Sequence, residues 1–150
     1  MKGNLPILII EDQAELQECI RCAILHNQIK NPVFYAANRS EAFDYLSSIQ
    51  YQAARVQNKL PGVIILNYHL EGDSSLQILA SIKADHIYNQ IPVIIFGETN
   101  SEEDMDACYA LGCNGYFRIP QSEDEFNKII KVIYDFWLHA AAIPYFAERV

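Results

Sequence analysis

The amino-acid sequence predicts an α/β fold in which one doubly wound parallel sheet is covered by helices on both faces. Apolar runs of strand length, such as Val63-Ile64-Ile65-Leu66, alternate with segments of helical period along the whole chain. Residues that can cap the start of a helix follow these runs at regular positions. A chain of 150 residues that is 51% hydrophobic can bury one sizeable core, so we expect one domain.

Each element is placed by its hydrophobic period. The strands are predicted near residues 6–10, 32–36, 63–67, 92–96 and 115–118. The helices are predicted near residues 14–27, 40–51, 75–84, 101–111 and 122–140. The polar segment 51–62 before the third strand is long for a loop, which allows an extension of the second helix.

Helix starts are indicated by side chains that can cap a first turn. The candidate capping boxes or close variants are Asp12-x-x-Glu15, Asn38-x-x-Glu41, Ser101-x-x-Asp104 and Ser122-x-x-Glu125, and either Ser74 or Ser75 caps the third helix. Right-handed crossovers between consecutive strands then favour the order 2-1-3-4-5. We therefore expect a flavodoxin-like, five-stranded parallel sheet.

Charge and hydropathy exclude two classes of function. The net charge of -8 and the pI near 4.8 argue against nucleic-acid binding, which needs a basic surface. The longest apolar stretches have the length of a strand, well short of the roughly 20 residues that span a bilayer. With no signal pattern at the N-terminus, we expect a cytoplasmic protein that binds neither nucleic acid nor membrane.

The four cysteines are expected to be packing residues. Cys19 and Cys22 form a C-x-x-C, but they lie within a helical pattern and not at the strand-to-helix turn where redox pairs are activated. Cys108 and Cys113 belong to the fourth helix and its following turn. In the predicted topology the two pairs lie on opposite faces of the sheet, which excludes a shared zinc site.

Polar residues end two apolar runs that are expected to be neighbouring strands. The first run ends in Glu11-Asp12, and the third ends in Asn67. In open parallel sheets, functional sites form where the carboxyl ends of such strands meet. An amide oxygen is a poor nucleophile because its lone pairs are delocalised into the C–N bond. Asn67 therefore lies at the predicted site but does not suit covalent catalysis.

The chain resembles the response-regulator receiver domains of two-component signalling. The resemblance covers nearly the whole chain and rests on Glu11-Asp12, the segment 66–70, Ile91-Pro92-Val93, the segment 110–116 and Pro120. The long segment 51–62 and Asp135-Phe136-Trp137-Leu138, followed by an apolar tail, are similar to stand-alone cyanobacterial phytochrome-type response regulators. From the chain length we expect a stand-alone module without an appended effector domain.

The resemblance implies an active site that this chain keeps only in part. In family members the acidic pair holds Mg²⁺, an aspartate accepts a phosphoryl group from a histidine kinase, a Ser/Thr contacts that phosphoryl group, and a lysine neutralises it. An aromatic residue turns inward on activation. The matching positions here are Glu11 and Asp12 for the acidic pair, Asn67 for the acceptor, Gly97 for the hydroxyl, Ile119 for the lysine and Tyr116 for the aromatic.

These losses predict a degenerate receiver, or pseudo-receiver. No acyl phosphate should form at Asn67, and Tyr116 should be fixed or freely averaging. No cofactor is required, but the side chains of Glu11, Asp12 and Asn67 and the backbone carbonyl of His69 could supply an oxygen-rich partial shell that would bind Mg²⁺ only weakly. The alternative is that Asp12 caps the first helix and Glu11 is solvated.

The C-terminal region predicts a homodimer. Phe126, Ile129, Ile130, Ile133, Trp137 and Ala140 recur at helical spacing and form the face that packs on the sheet. Further apolar side chains lie off this face or beyond residue 140, where the receiver-like domain 1–140 gives way to the tail 141–150. The dimer residues are predicted to be Phe136, Trp137, Ile143, Tyr145 and Phe146. The alternative is a tail folded back on its own domain.

The predicted function is that of a non-enzymatic binding module. Its expected partners are a histidine kinase, a phosphotransfer protein or another receiver. A receiver-fold module for a small molecule or a metal is an alternative, although Glu-Asp-Gln-Ala-Glu at 11–15 lacks a phosphate cradle. A residual phosphoryl-transfer enzyme is a further alternative, which lacks a plausible nucleophile and a positioned cation.

Overall fold

The sheet has five parallel strands in the predicted order. A computed structural model describes residues 5–56, 60–98 and 101–140. The strands are β1 Ile7–Ile10, β2 Val33–Ala36, β3 Val63–Asn67, β4 Val93–Gly97 and β5 Gly115–Arg118. They pair in the order β2-β1-β3-β4-β5, and each pair is parallel. The flavodoxin-like prediction is confirmed.

The helices fill the predicted positions between the strands. They are α1 Ala14–His26, α2 Arg39–Val56, α3 Ser75–Ala84, α4 Glu102–Ala110 and α5 Glu123–Ile133, and α5 continues as a π-helical segment over Tyr134–Ala140. A 3₁₀ turn, Tyr88–Gln90, precedes β4. The second helix extends to Val56, as the polar connection allowed. Across the three described ranges, no helix is long and apolar enough to cross a bilayer.

Side-chain caps begin four of the five helices. Ser74, Ser101 and Ser122 each accept a hydrogen bond from the backbone N–H three residues later. At the start of α2, Asn38 Oδ1 accepts from the Glu41 N–H. The predicted cap of α1 is wrong: Gln13 occupies the N-cap position and makes no side-chain capping bond, and the Asp12 carboxylate accepts instead from the Glu71 N–H.

The core has two layers, one on each face of the sheet. Leu8 and Ile10 of β1 point towards the face covered by α2, α3 and α4, and that layer includes Cys108 and Cys113. Ile7 and Ile9 point to the other face, covered by α1 and α5, where Cys19 is half-buried. This alternation is that of a central strand buried on both sides. The two cysteine pairs are therefore separated by the sheet, as predicted.

The π-helical segment changes which side chains reach the core. Phe126, Ile130 and Ile133 are buried at α-helical spacing, and the next buried side chain is Leu138, five residues on. A step of five residues matches π-helical geometry. Trp137 is half-buried, whereas Ala140 is exposed. The prediction that Ala140 packs on the sheet is wrong, because it assumed an unbroken α-helical period.

Leu138 seals the amino-terminal end of the sheet. Its side chain packs over Gly62, where an added methyl group would overlap Leu138 Cδ2 and lie 3.0 Å from Leu5 Cβ. Leu138 and Leu5 are each 1% exposed. The segment after α5 is therefore part of the domain core and does not merely extend from it.

Apolar side chains remain exposed on the outer side of the C-terminal helix. Val132 is 52% exposed and Phe136 is 53% exposed, four residues apart. The Phe136 ring lies edge-on against Trp137, with 4.6 Å between ring centroids. The other predicted dimer residues, Ile143, Tyr145 and Phe146, lie outside the described residues, as does the whole tail 141–150.

Candidate functional site

The sheet brings the predicted site residues together at the carboxyl ends of its central strands. Ile10 of β1 pairs with Leu66 of β3, so the next residues, Glu11 and Asn67, lie side by side. Asn67 in turn pairs with Phe96 of β4, which places Gly97 at the same edge. The site is thus built by strand register, at the edge where doubly wound sheets bind ligands.

Asn67 is held by hydrogen bonds from three directions. Its Nδ2 donates to Glu11 Oε1 at 2.6 Å, and its Oδ1 accepts from the His69 N–H at 2.8 Å. The hydroxyl of Ser75, at the start of α3, donates to the Asn67 backbone carbonyl at 2.6 Å. The backbone N–H can only donate and an ionised carboxylate can only accept, so these neighbours fix the orientation of the amide.

Glu11 is a buried carboxylate that is stabilised by neutral donors. Its residue exposure is 3%, and its Oε2 accepts from the Gln13 N–H at 3.1 Å. Burial raises the pKa of Glu11, while the hydrogen bonds from Gln13 and Asn67 oppose that rise. Within the described part of the chain, Glu11 forms no ion pair with Lys or Arg. The alternative in which Glu11 is solvated is therefore wrong.

Asp12 ties two loops of the site together. Its Oδ2 accepts a 2.7 Å hydrogen bond from the backbone N–H of Glu71, in the loop that follows β3. Its Oδ1 is buried and has no hydrogen-bond partner among the described residues. This contact explains why Asp12 does not cap α1, since its carboxylate is directed at the β3–α3 loop.

The side chains present do not fit a divalent cation in this arrangement. Mg²⁺ prefers a near-octahedral shell of oxygen ligands. Here the Asn67 amide turns a nitrogen towards Glu11, and the Asn67 oxygen already accepts from His69. Asp12 Oδ1 is a buried acceptor without a hydrogen-bond partner, but no group of three or more His, Cys, Asp or Glu that could hold a metal occurs among the described residues. The weak cation site stays a prediction, and it requires the amide to turn.

Gly97, at the position of the family's hydroxyl residue, and Tyr116, at the position of its aromatic residue, are in direct contact. Gly97 is buried, and a methyl group added to it would overlap the Tyr116 hydroxyl and lie 2.5 Å from Tyr116 Cζ. The Tyr116 hydroxyl donates to the backbone carbonyl of Glu98 at 2.9 Å. The tyrosine ring therefore lies inward, over the glycine, in the space that a side chain at position 97 would need.

Ile119, an apolar residue, stands at the position where family members have a lysine. Ile119 is half-buried and packs in the core layer beneath α1 and α5, and its N–H donates to the Gly97 carbonyl at 2.9 Å. The neighbouring Arg118 is exposed. His69 Nε2 lies 3.9 Å from Glu98 Oε1, and both side chains are exposed.

Ser75 and Tyr68, neither of which was predicted as a site residue, also hold the site. Ser75 Oγ lies 2.6 Å from the carbonyl oxygens of both Asn67 and Tyr68, which share its one proton, while its neighbour Ser74 caps α3. Tyr68 Oη donates to Asp104 Oδ1 at 2.8 Å, which joins the loop after β3 to α4. The adjacent serines were a usable signal, because one helix needs only one serine cap. No sequence pattern pointed to the Tyr68 contact.

An open groove of about 580 Å³ lies beside the site, between α1 and the start of α5. Its apolar lining includes Leu16, Cys19, Ile119, Pro120 and Phe126, and its rim includes Glu15, Glu18 and Glu123. Burial and the neighbouring acidic groups raise the pKa of Cys19. A thiol with a raised pKa is a weak nucleophile at neutral pH, which supports packing as the role of this cysteine.

Comparison with known proteins identifies the family. Residues 7–131 match the model of the response regulator receiver domain. The chain is 24% identical over 138 residues to response regulator Rcp1 of Synechocystis, and the match covers 92% of each chain. It is 28% identical over 127 residues to PhoB, a phosphate regulon transcriptional regulatory protein of Escherichia coli, but spans only 50% of that protein.

Solved structures give the same result. The phosphorylated cyanobacterial phytochrome response regulator RcpA superposes with a TM-score of 0.80 at 27% identity, covering 94% of this chain and 99% of RcpA. The Mn²⁺-bound form of Rcp1 superposes with a TM-score of 0.76 at 23% identity, covering 93% of this chain and 99% of Rcp1. With its sheet order, its acidic pair after β1 and a family match over most of its length, this chain belongs to the response regulator receiver domains.

Proposed function

We propose that this receiver domain is a pseudo-receiver, which accepts no phosphoryl group at position 67 and signals by binding other proteins. The observation that carries the proposal is the Asn67 side chain. It occupies the acceptor position at the end of β3, and its amide nitrogen donates to Glu11 at 2.6 Å. In that orientation its oxygen is engaged by the His69 N–H. An amide held in this way is a poor nucleophile for phosphoryl transfer.

The surroundings of Asn67 support the same proposal. Phosphoryl transfer needs stabilisation of the negative charge that spreads over the transferred group. Gly97 offers no hydroxyl, and the Ile119 side chain offers no cation. A phosphoryl group placed here would instead meet the buried carboxylate of Glu11, which forms no ion pair with Lys or Arg in the described ranges. Restoring an aspartate at position 67 alone should therefore restore phosphorylation only weakly.

The proposed partners are those of two-component signalling: a histidine kinase, a phosphotransfer protein or another receiver. The similarity to Rcp1 and RcpA over more than nine-tenths of the chain supports a comparable role as a response regulator in the cytoplasm. The chain keeps the receiver architecture while losing the acceptor, the hydroxyl and the lysine. Its function therefore rests on its surface and does not require turnover.

We also propose a homodimer formed through α5, the π-helical segment and the tail 141–150, which lies outside domain 1–140. The exposed side chains of Val132 and Phe136 and the half-buried ring of Trp137 support it. Large apolar side chains that are exposed next to one another are typical of a protein interface. Ile143, Tyr145 and Phe146 of the tail are proposed to extend the same interface.

The test is incubation of the wild-type protein and the Asn67→Asp variant with acetyl phosphate and Mg²⁺, read by intact mass. We expect no added phosphoryl group on the wild type and slow, partial addition on Asn67→Asp. Addition of a phosphoryl group to the wild type would overturn the proposal. Peptide mapping of the modified residue would then locate the true acceptor.

A further inference from the structure

We propose that Gly97 acts as a steric lock: its missing side chain leaves the space that the Tyr116 ring occupies, and the hydrogen bond from the Tyr116 hydroxyl to the Glu98 carbonyl holds the ring there, so that the surface formed by α4 and β5 keeps one arrangement. The lock is independent of phosphorylation, because it depends on the volume at position 97 and not on the chemistry at position 67. This proposal is therefore independent of the proposed function, and either one can fail without the other.

The two side-chain positions exclude each other. A Cβ at position 97 would overlap the Tyr116 hydroxyl, lie 2.5 Å from Cζ and lie 3.0 Å from Cε2. Real Cβ atoms are essentially never found that close to other heavy atoms. A side chain at position 97 would therefore require a shift, and the far end of the Tyr116 side chain is the part that can move.

Glycine is not needed at position 97 for its backbone conformation. Its φ angle lies outside the left-handed region that favours glycine, unlike that of Gly112, which has φ of +98°. Gly97 is a regular member of β4, paired with Arg118 of β5. What the absent side chain provides at this position is space for the tyrosine ring.

Hydrogen bonds hold the ring and its surroundings in the inward arrangement. The Tyr116 hydroxyl donates to the Glu98 carbonyl at 2.9 Å, just after β4. The Tyr116 N–H, on the outer edge of β5, donates to the hydroxyl of Tyr109 on α4 at 3.2 Å. The Tyr68 hydroxyl donates to Asp104 at 2.8 Å, which ties α4 to the β3–α3 loop. Three tyrosines thus connect β3, β4, α4 and β5 around the glycine.

The test places a methyl group at position 97 and follows Tyr116 by ¹⁹F NMR. The protein has nine tyrosines, which can be labelled together with 3-fluorotyrosine. The Tyr116 resonance is assigned by its loss in Tyr116→Phe. We expect Gly97→Ala to shift it towards the position of a solvent-exposed 3-fluorotyrosine. Gly72→Ala is the matched control, because a Cβ at Gly72 meets nothing within 4 Å, and it should leave the resonance in place.

An unchanged Tyr116 resonance in folded Gly97→Ala would overturn the lock. If Gly97→Ala does not fold, the double variant Gly97→Ala/Tyr116→Ala decides the question. Recovery of folding when the ring is removed supports mutual exclusion, and failure to recover overturns it. Where all variants fold, the Gly97→Ala change should raise the unfolding equilibrium constant at least about threefold more with Tyr116 present than in the Tyr116→Ala background.

Discussion

The side-chain amide of Asn67 and the carboxylate of Glu11, on adjacent parallel strands, share a 2.6 Å hydrogen bond at the buried edge of the sheet. The amide supplies a neutral donor to a carboxylate that has no Lys or Arg partner within the described ranges. A hydrogen bond to a charged group is stronger than one between neutral groups. The Asn67 side chain therefore stabilises the acidic site without a cation.

Replacing this donor with an acid should make the fold depend on a cation. In Asn67→Asp a second carboxylate would face Glu11, and the pair would need a shared proton or a metal ion. We expect a loss of about 1–3 kcal/mol in the free energy of unfolding at neutral pH, because a buried charge loses its donor. Millimolar Mg²⁺ should restore part of it. Urea unfolding with and without MgCl₂ measures both effects.

Asn114→Asp is the control for this prediction. Asn114 Oδ1 accepts hydrogen bonds from Lys83 Nζ at 3.0 Å and from the Val93 N–H at 2.9 Å, and an aspartate can accept both. Its stability should not respond to Mg²⁺. An Asn67→Asp variant as stable as the wild type, or one equally indifferent to Mg²⁺, would contradict the role assigned to the amide.

The buried Glu11 should make stability fall with rising pH in a defined window. Its pKa is raised above the ordinary value of 4.5, so the folded state binds the proton more tightly than the unfolded state. The contribution of this group is fully present below pH 4.5 and is lost as the pH rises through the folded-state pKa. The difference in unfolding free energy between wild type and Glu11→Gln should decline across that window and then level off.

Glu18 provides a control of opposite sign for the pH experiment. Its pKa is lowered by the hydrogen bond and charge of Arg21, so its stabilising contribution is present above pH 4.5 and is lost as the pH falls through the folded-state pKa. The difference between wild type and Glu18→Gln should therefore rise with pH. A Glu11 difference that rises in the same direction would show that the Glu11 carboxyl is not destabilised by burial.

The π-helical segment predicts unequal effects for two neighbouring substitutions. Leu138 is 1% exposed, so Leu138→Ala should cost about 2–5 kcal/mol of unfolding free energy. Ala140 is exposed, so Ala140→Gln should change stability by no more than about 0.5 kcal/mol. Both are measured by urea unfolding. The reverse order would mean that α5 continues as an ordinary α-helix.

A charge on the exposed apolar strip of the C-terminal helix should disrupt the proposed homodimer. In Phe136→Glu and Val132→Glu, a carboxylate would be buried without a partner on association. Sedimentation velocity should show a dimer dissociation constant raised by at least about tenfold. Leu25→Glu, at a side chain that is 60% exposed on α1, should leave the dimer intact. A wild type that sediments as a monomer at all concentrations would refute the interface.

Local sequence signals predicted those elements whose boundaries are set by nearby residues. The limits of β3, β5 and α3 agree with the expected ranges 63–67, 115–118 and 75–84. The apolar run of β3, the Ser74 cap of α3 and Gly115 at the start of β5 were sufficient signals. Strand burial and helix capping each depend on residues that are close in the sequence. The adjacency of Glu11 and Asn67 also followed from strand order alone.

Contacts between distant segments could not be read from the sequence. Asp12 has the right position to cap α1, but its carboxylate bonds to the Glu71 N–H, 59 residues away in the chain. The inward position of Tyr116 depends on the space at Gly97, which no local pattern indicates. Ala140 rather than Leu138 matched the α-helical stripe, because periodicity assumes a constant number of residues per turn, which the π-helical segment does not keep.

The packing of Leu138 against Leu5 and Gly62 has a consequence for how the chain folds as it is made. Leu5 leaves the ribosome more than a hundred residues before the side chain that covers it. Domains generally fold as units, since incomplete cores expose apolar surface to solvent and to other chains. One end of this sheet therefore stays open until nearly the last residues of the domain are translated, and a nascent chain stalled within α5 should be a substrate for chaperones.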